Sequence, residues 1–269
     1  MQTLERFCTT LRHSRGLRNA EWLWDQLRAP YTALLATLAQ NGLERVINGT
    51  DLIRLTPEYR AITEKYEPDV WKHVMGEARI GDVVADVGAN IGLYAIALAK
   101  RVGDGGKVHA FEPDPANFRA LDRHCRLNQV TARVVPYQVA VTGTDGRVAF
   151  EAGRGSESRI GSGALVSEVD GVRLDSVFAG DRIDILKIDV EGFEEAVLKG
   201  GSELLSDRAR GPRIIYIEVH PFAWREVKTT SETLLTLLTD YGYRIEDLSG
   251  KVVVFVERYG EIVARRREC

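Results

Sequence analysis

Cysteine, methionine and proline are scarce in this chain of 269 residues: three, two and eight. Cys8, Cys125 and Cys269 are odd in number and far apart, which excludes a disulfide framework and gives no zinc-ligand spacing. A reducing compartment is the expectation. No apolar run approaches the roughly 20 residues that a membrane-spanning helix needs. Glu5, Arg6, Arg12 and Arg15 break up the first segment, so it lacks the apolar centre of a secretory leader and the protein is expected to be cytoplasmic. An excess of positive charge is also missing. The net charge of −3 offers nucleic acid or an anionic membrane no general attraction. Arg265-Arg266-Arg267 is the one dense basic run, and it reads as a solvated tail, with weak phosphate or lipid contact the alternative. The dinucleotide fingerprint G-x-G-x-x-G is absent as well.

What the chain does contain is a strand that breaks into a glycine turn and then a helix. Val83 to Val87 is apolar around Asp86, Gly88-Ala89-Asn90-Ile91-Gly92 forms the turn, and Leu93 to Ala99 opens the helix. Glycine lets a ligand approach the backbone closely, and the unpaired N–H groups of a first helical turn face it. The spacing Gly88-x-Asn90-x-Gly92 and the acid before it do not suit a pyrophosphate. An acid there suits a ligand with ammonium and sulfonium charges, which points to S-adenosylmethionine. Glu112 lies about two dozen residues further on, at the end of the next strand, where a carboxylate can accept from both ribose hydroxyls. Pro115 suits the first position of the following helix, and capping accounts for Asp114 or Asn117.

From Val83 onward, strand and helix patterns alternate, which predicts a mostly parallel sheet with helices on both faces. Strands are expected at 83–88, 107–112, 133–141, 183–189, 213–219, 243–248 and 251–258. Helices are expected at 91–101, 115–128, 193–205 and 229–241, with Thr229-x-x-Glu232 as a capping box for the last. The final two strands are joined tightly through Ser249-Gly250 and should pair antiparallel. Residues 1 to about 40 read as helical, Glu44 to Leu55 as a hairpin around Asn48-Gly49, and Asp69 to Ala78 as a helix. Val139 to Glu151 reads as a second hairpin, followed by a Gly/Ser-rich stretch, 153–163, with the composition of a disordered insert or a ligand-covering loop.

The fourth predicted strand ends in Lys187-Ile188-Asp189 followed by Val190-Glu191-Gly192, and the fifth ends in Glu218-Val219-His220. Ligands of open α/β sheets lie beyond the carboxyl ends of the strands, so these groups fall at the mouth of a site. Asp189 and Glu191 share one parity along their strand, as do Glu218 and His220. Three uses remain open. Asp189, Glu218 and His220 can hold a divalent cation such as Mg²⁺ that acidifies a hydroxyl. His220, with an ordinary pKa of about 6.5, can act as a metal-free general base. Lys187 and Glu218 can instead pair as a purely structural strand end.

Five ordered motifs then resemble the FkbM family of S-adenosylmethionine-dependent methyltransferases: Val-Ala-Asp-Val-Gly-Ala-Asn-Ile-Gly at 84–92, Ala-Phe-Glu-Pro-Asp-Pro at 110–115, Arg-Leu-Asp-Ser-Val at 173–177, Leu-Lys-Ile-Asp-Val-Glu-Gly-Phe-Glu at 186–194 and Ile-Glu-Val-His at 217–220. The resemblance runs from about Tyr66 to Tyr259. It implies the class I methyltransferase Rossmann-like fold, a seven-stranded mostly parallel sheet with an antiparallel last strand. It implies O-methylation of natural products or sugars. It carries cofactor roles to Asp86, Gly88, Ala89, Asn90, Gly92 and Glu112, and a place beside the transferred methyl to Asp189. Residues 1–65 are then an N-terminal helical and hairpin extension, a lid or a dimerisation surface, and 66–269 the methyltransferase domain. Trp22, Trp24, Tyr31, Tyr66 and Trp71 either stack on an acceptor or belong to the core. The expected partner is a small hydroxylated acceptor, with no nucleic acid and with a homodimer as an option. An N-methyltransferase and a non-catalytic cofactor binder are the rival readings. The Asp/Asn-Pro-Pro-Tyr/Phe motif of exocyclic-amine methylation is missing, and a mere binder needs no ionisable cluster.

Overall fold

A computed structural model describes residues 26, 40–151, 159–160 and 166–267. The predicted N-terminal helices, with Trp22, Trp24 and Tyr31, and most of the 153–163 stretch lie outside the described residues. The chain divides into two compact units after Tyr66. In the first, β1 (Leu43–Ile47) and β2 (Asp51–Leu55) pair antiparallel. Asn48 and Gly49 both take positive φ, the conformation that an Asn-Gly turn supplies at little cost.

In the second unit, α1 (Pro68–Glu77) precedes β3 (Val83–Val87), α2 (Leu93–Val102), β4 (Lys107–Phe111), α3 (Pro115–Leu127) and β5 (Val134–Tyr137). Then come β6 (Ala140–Val141), β7 (Gly146–Glu151), β8 (Arg159–Ile160), β9 (Val166–Val172) and the short α4 (Leu174–Val177). The chain continues with β10 (Ile185–Ile188), α5 (Glu194–Gly200), α6 (Ser202–Ser206) and β11 (Ile214–Val219). It closes with α7 (Pro221–Val227), α8 (Ser231–Asp240), β12 (Tyr243–Glu246) and β13 (Gly260–Arg266).

The main sheet has seven strands in the order β12-β13-β11-β10-β3-β4-β5. Six of them point the same way, and β13 alone is reversed, antiparallel to both its neighbours β11 and β12. The chain builds outward from β3 through β4 to β5, then crosses back to place β10 on the other side of β3. That reversal is the topological switch point, where α/β sheets bind ligands. Strands β10 and β11 are buried along their whole length, which is why they read as continuous apolar runs. Helix α2 is buried at eight of its ten positions.

Several predicted boundaries are corrected. The third strand is two: β5 ends at Tyr137, and β6 joins a separate four-stranded sheet ordered β6-β9-β7-β8. Val139 to Glu151 is therefore no hairpin, because β9 lies between β6 and β7. The last strand is Gly260–Arg266 and not 251–258. Asp247 accepts the N–H groups of Ser249 and Lys251 and fixes a turn, and the apolar residues after it, Val254 and Phe255, are exposed. Arg265 and Arg266 consequently form no solvated tail. Arg265 bridges Glu246 and Glu77 at 2.7 Å each, and Arg266 donates to the Tyr243 hydroxyl and stacks on its ring. The capping box of α8 sits one residue later than predicted: Thr230 accepts from Thr233 N–H at 3.1 Å, and Thr230 N–H donates back to the Thr233 hydroxyl. Among the described residues, no helix is long and apolar enough to cross a membrane.

Candidate active site

The glycine turn follows β3 directly. Gly88 and Ala89 both donate to the Phe111 carbonyl at the end of β4, at 3.0 and 2.9 Å, which ties the turn to the neighbouring strand. Gly88 has φ +86°, and a Cβ there would lie 1.8 Å from the carbonyl oxygen of Asp189. Only glycine allows the ends of β3 and β10 to come together this way. Asn90 is left-handed at φ +49°, and its N–H donates to Glu112 Oε2 at 2.8 Å. Gly92, at φ +90°, caps α2.

Glu112 is buried, and its Oε1 accepts from Asp114 N–H at 2.8 Å. Burial pushes its pKa up to about 7 against the pull of these backbone N–H groups. Asp114 caps α3 through the N–H groups of Ala116 and Asn117, so capping accounts for it. Asp86 lies beneath the turn, only 1% exposed, opposite Lys187 in register. Its Oδ2 has no hydrogen-bond partner among the described residues. Burial raises its pKa to about 6, and Lys187 and the Ala95 N–H work the other way.

One strand away the site is built of charged side chains. Lys187 is almost wholly buried, with its ammonium 3.3 Å from Asp189 Oδ2 and 4.7 Å above the Tyr94 ring. Its close carboxylate partner is Asp189, so the structural alternative of a Lys187–Glu218 pair does not describe this strand end. Tyr94 donates to Glu67 at 2.8 Å and packs on the buried Trp71, which places Trp71 in the core. Asp189, Glu218 and His220 converge, with one ligand atom from each within 4.8 Å of the others. Tyr259 donates its hydroxyl to Glu218. Glu218 stands directly opposite Glu261 across the β11–β13 pair. Burial first, then the Asp189 carboxylate, raises the Glu218 pKa to about 7.

The sequence pattern did not reveal three members of this cluster. Glu194, fully buried at the start of α5, lies 2.8 Å from His220 Nδ1 and accepts the Trp224 indole N–H at 2.8 Å and the Gly192 N–H at 3.0 Å. Glu261 carries a buried Oε1 with no partner among the described residues. Tyr259 comes from the loop before β13. Glu191 departs from the expected strand parity: β10 has ended, Glu191 is left-handed at φ +50°, and it comes within 3.5 Å of His220 Nε2. Burial lowers the His220 pKa, but the hydrogen bond to Glu194 and the Glu191 carboxylate outweigh it, and the pKa is raised overall. The run Glu-Gly-Phe-Glu at 191–194 was the available signal for Glu194, yet only the packing of α7 against it reveals its donors.

A seven-stranded sheet with an antiparallel strand set next to its edge, and a glycine corner at its switch point, is the class I, Rossmann-like methyltransferase fold. The chain belongs to the FkbM methyltransferase domain family, whose sequence model, described as "Methyltransferase FkbM domain", matches residues 86–245. Over 159 residues it is 28% identical to the hexuronic acid methyltransferase AglP of Haloferax volcanii, covering 57% of this chain and 62% of that protein. It is 31% identical over 206 residues to the 31-O-demethyl-FK506 methyltransferase FkbM of Streptomyces tacrolimicus, covering 63% of this chain and 75% of that one. The chain thus spans less than two thirds of the Haloferax relative. Among solved structures, an SAM-dependent O-methyltransferase from Thermotoga maritima aligns with a TM-score of 0.46 and 17% identity, over 78% of this chain and 71% of that one.

Proposed function

We propose that this protein is an S-adenosylmethionine-dependent O-methyltransferase acting on a hydroxyl of a sugar or other natural product. The observation that carries the reading is the close approach of Gly88 to Asp189, which sets the glycine corner beside the Asp189/Glu218/His220 cluster. The residues at the corner fit the cofactor. The orphaned Asp86 Oδ2 supplies negative charge beneath the turn for a cationic ligand. The Glu112 carboxylate is oriented by the backbone N–H groups of Asn90 and Asp114, with the Asn117 amide 3.5 Å from Oε1, which leaves acceptor capacity on Oε2 for a ribose hydroxyl. Gly88, Ala89, Asn90 and Gly92 would line the methionine side, Glu112 would hold the ribose, and Asp189 would stand beside the transferred methyl.

When bound, S-adenosylmethionine supplies an electrophilic methyl group on a sulfonium. The protein's own part is to position an acceptor oxygen in line with that methyl and to take up one proton. His220 is the proposed base, with Asp189 and Glu218 orienting the hydroxyl. The names of two relatives support the acceptor class, since one refers to a hexuronic acid and the other to an O-demethylated compound. A second reading is favoured by the 4.8 Å cluster, in which Asp189, Glu218 and His220 hold a divalent cation that acidifies the hydroxyl. Lys187 and Tyr259 already engage two of those three groups, which weighs toward the metal-free base.

Calorimetry with S-adenosylmethionine, S-adenosylhomocysteine and NAD tests the cofactor. Binding of NAD alone would overturn the reading at its first step. A screen of hydroxylated acceptors for S-adenosylhomocysteine release tests the activity. Activity that survives exhaustive EDTA treatment and ignores added Mg²⁺ removes the metal.

A further inference from the structure

We propose that Glu194 is a positioning residue that fixes His220 in the tautomer with the proton on Nδ1 and the free lone pair on Nε2, facing the acceptor. The inference deepens the O-methyltransferase reading and rests on it. The balance of donors and acceptors around Glu194 decides the tautomer. Glu194 lies at the first position of α5 with no exposure to solvent, and three groups converge on it. The indole nitrogen of Trp224 and the backbone nitrogen of Gly192 are donors only. Both point at Glu194, one at each oxygen, at 2.8 and 3.0 Å. A carboxylate enclosed by obligate donors accepts and does not donate. The remaining contact, His220 Nδ1 to Glu194 Oε1 at 2.8 Å, therefore has its hydrogen on the histidine.

The opposite nitrogen then carries the lone pair whenever the ring is neutral. Nε2 looks toward Glu191 at 3.5 Å and Glu218 at 3.8 Å, with Asp189 in the same cluster. The rings of Phe222 and Tyr259 flank the imidazole at 5.7 and 5.4 Å between centroids, and both side chains are largely exposed. The buried carboxylate lies behind the ring, and Nε2 is turned toward the ends of β10 and β11. A base so held needs no reorientation when the acceptor arrives, and the carboxylate behind it stabilises the imidazolium that proton uptake creates.

The test uses the full chain, 15N-labelled, with long-range imidazole NMR and steady-state kinetics. Wild-type protein at high pH is expected to show Nδ1 protonated and Nε2 bare. Glu194→Leu removes the acceptor, so the ring should lose its single tautomer and kcat should fall by at least about tenfold. Glu194→Gln keeps an acceptor without its charge. The acid limb of kcat/KM should then move to lower pH by roughly one unit, while the affinity for S-adenosylhomocysteine stays within about twofold. Trp224→Phe removes a donor but leaves the Glu194–His220 contact, and should keep both the tautomer and the acid limb. A wild-type ring protonated on Nε2 overturns the proposal. So does a folded Glu194→Leu protein that keeps the single tautomer, or a Glu194→Gln protein whose acid limb does not move, because Glu194 would then be only a staple between α5 and α7. Should the leucine variant fail to fold, the wild-type tautomer and the glutamine variant decide the matter. The tautomer is read without turnover, so failure of S-adenosylmethionine to bind is seen separately, by calorimetry.

Discussion

The two halves of the switch point are made of different materials. At the end of β3 the structure is set by backbone: Gly88 and Ala89 are tied to the Phe111 carbonyl, Asn90 to Glu112, and Gly88 has room for no side chain. At the ends of β10 and β11 it is set by ionisable side chains: Lys187, Asp189 and Glu191 from β10 and the loop after it, Glu218 and His220 from β11 and its end, Glu194 from α5 and Glu261 from β13. The turn itself is fixed by φ angles and backbone N–H groups, and only the Asp86 and Glu112 carboxyls beside it titrate. A cluster of partly compensated charges in a low dielectric changes with each proton it takes up, and is the part suited to moving one. Substitutions at the corner should therefore act on folding and cofactor affinity, and substitutions in the cluster on turnover and its pH dependence.

The largest effect is expected from Gly88→Ala. The new methyl would enter the Asp189 carbonyl at φ +86°, so either the turn or β10 must shift. A cost of about 2–5 kcal/mol in stability follows from overpacking together with left-handed strain, with loss of measurable S-adenosylmethionine binding by calorimetry. A variant that binds normally would show that the corner is not rigid. His220→Ala comes next. It should lower kcat by at least about tenfold, the low end for a general base, with cofactor affinity retained. In the wild type, the raised His220 pKa places the acid limb of kcat/KM above the ordinary histidine value, and activity should rise with pH through it. Turnover at the wild-type rate in the variant would remove His220 as the base.

The same division explains what was legible in the sequence. Gly88, Asn90, Gly92 and Glu112 were readable because a strand, a tight turn and a helix start must follow one another locally, and spacing alone encodes them. The mostly parallel character of the sheet followed from the alternation of elements, while its strand order came only with the structure. Arg265 and Arg266 misled because a strand of charged residues looks like a tail until its partners, Glu77, Glu246 and Tyr243, are known. Residues 251–258 misled in the opposite sense, since their apolar side chains suggested a buried strand. Glu194 and Glu261 were invisible as site members for a related reason: their partners lie 26 and 43 positions away in sequence, His220 for the first and Glu218 for the second, and only strand adjacency and helix packing bring them together.

Glu261→Gln sharpens the contrast with a smaller effect. Burial raises the Glu261 pKa; Lys187 pulls it down while Glu218 and Asp189 push it up, to about 8 overall. The folded protein then holds this proton more tightly than the unfolded chain. Its contribution to stability is fully present below the ordinary carboxylate range and is lost as the pH rises through about 8. Glutamine does not ionise, so the variant should match the wild type near pH 5 and exceed it near pH 9. The expected gain there is about 1–2 kcal/mol, given that each tenfold difference in proton affinity is worth about 1.4 kcal/mol and that relaxation recovers part of it. Urea unfolding of the ligand-free protein at both pH values measures this. A difference that is the same at both would mean that Glu261 titrates like a surface carboxylate.

The smallest effect is expected from Asn90→Gly, and its smallness is the point. Asn90 contributes two things to the corner: a left-handed φ of +49°, which glycine adopts without strain, and a backbone N–H to Glu112, which glycine also has. If the corner works through its backbone, removing the amide side chain should change S-adenosylmethionine affinity by less than about threefold, or under about 0.7 kcal/mol, and should leave the pH profile of turnover untouched. Asn90→Ala keeps the N–H but forces a β-carbon into the left-handed region, at about 1–2 kcal/mol, and should be the less stable of the two. A loss of tenfold or more in affinity for the glycine variant, with alanine no worse, would reverse the contrast. The amide side chain itself would then be touching the ligand, and the cofactor end, like the acid end, would depend on side-chain chemistry.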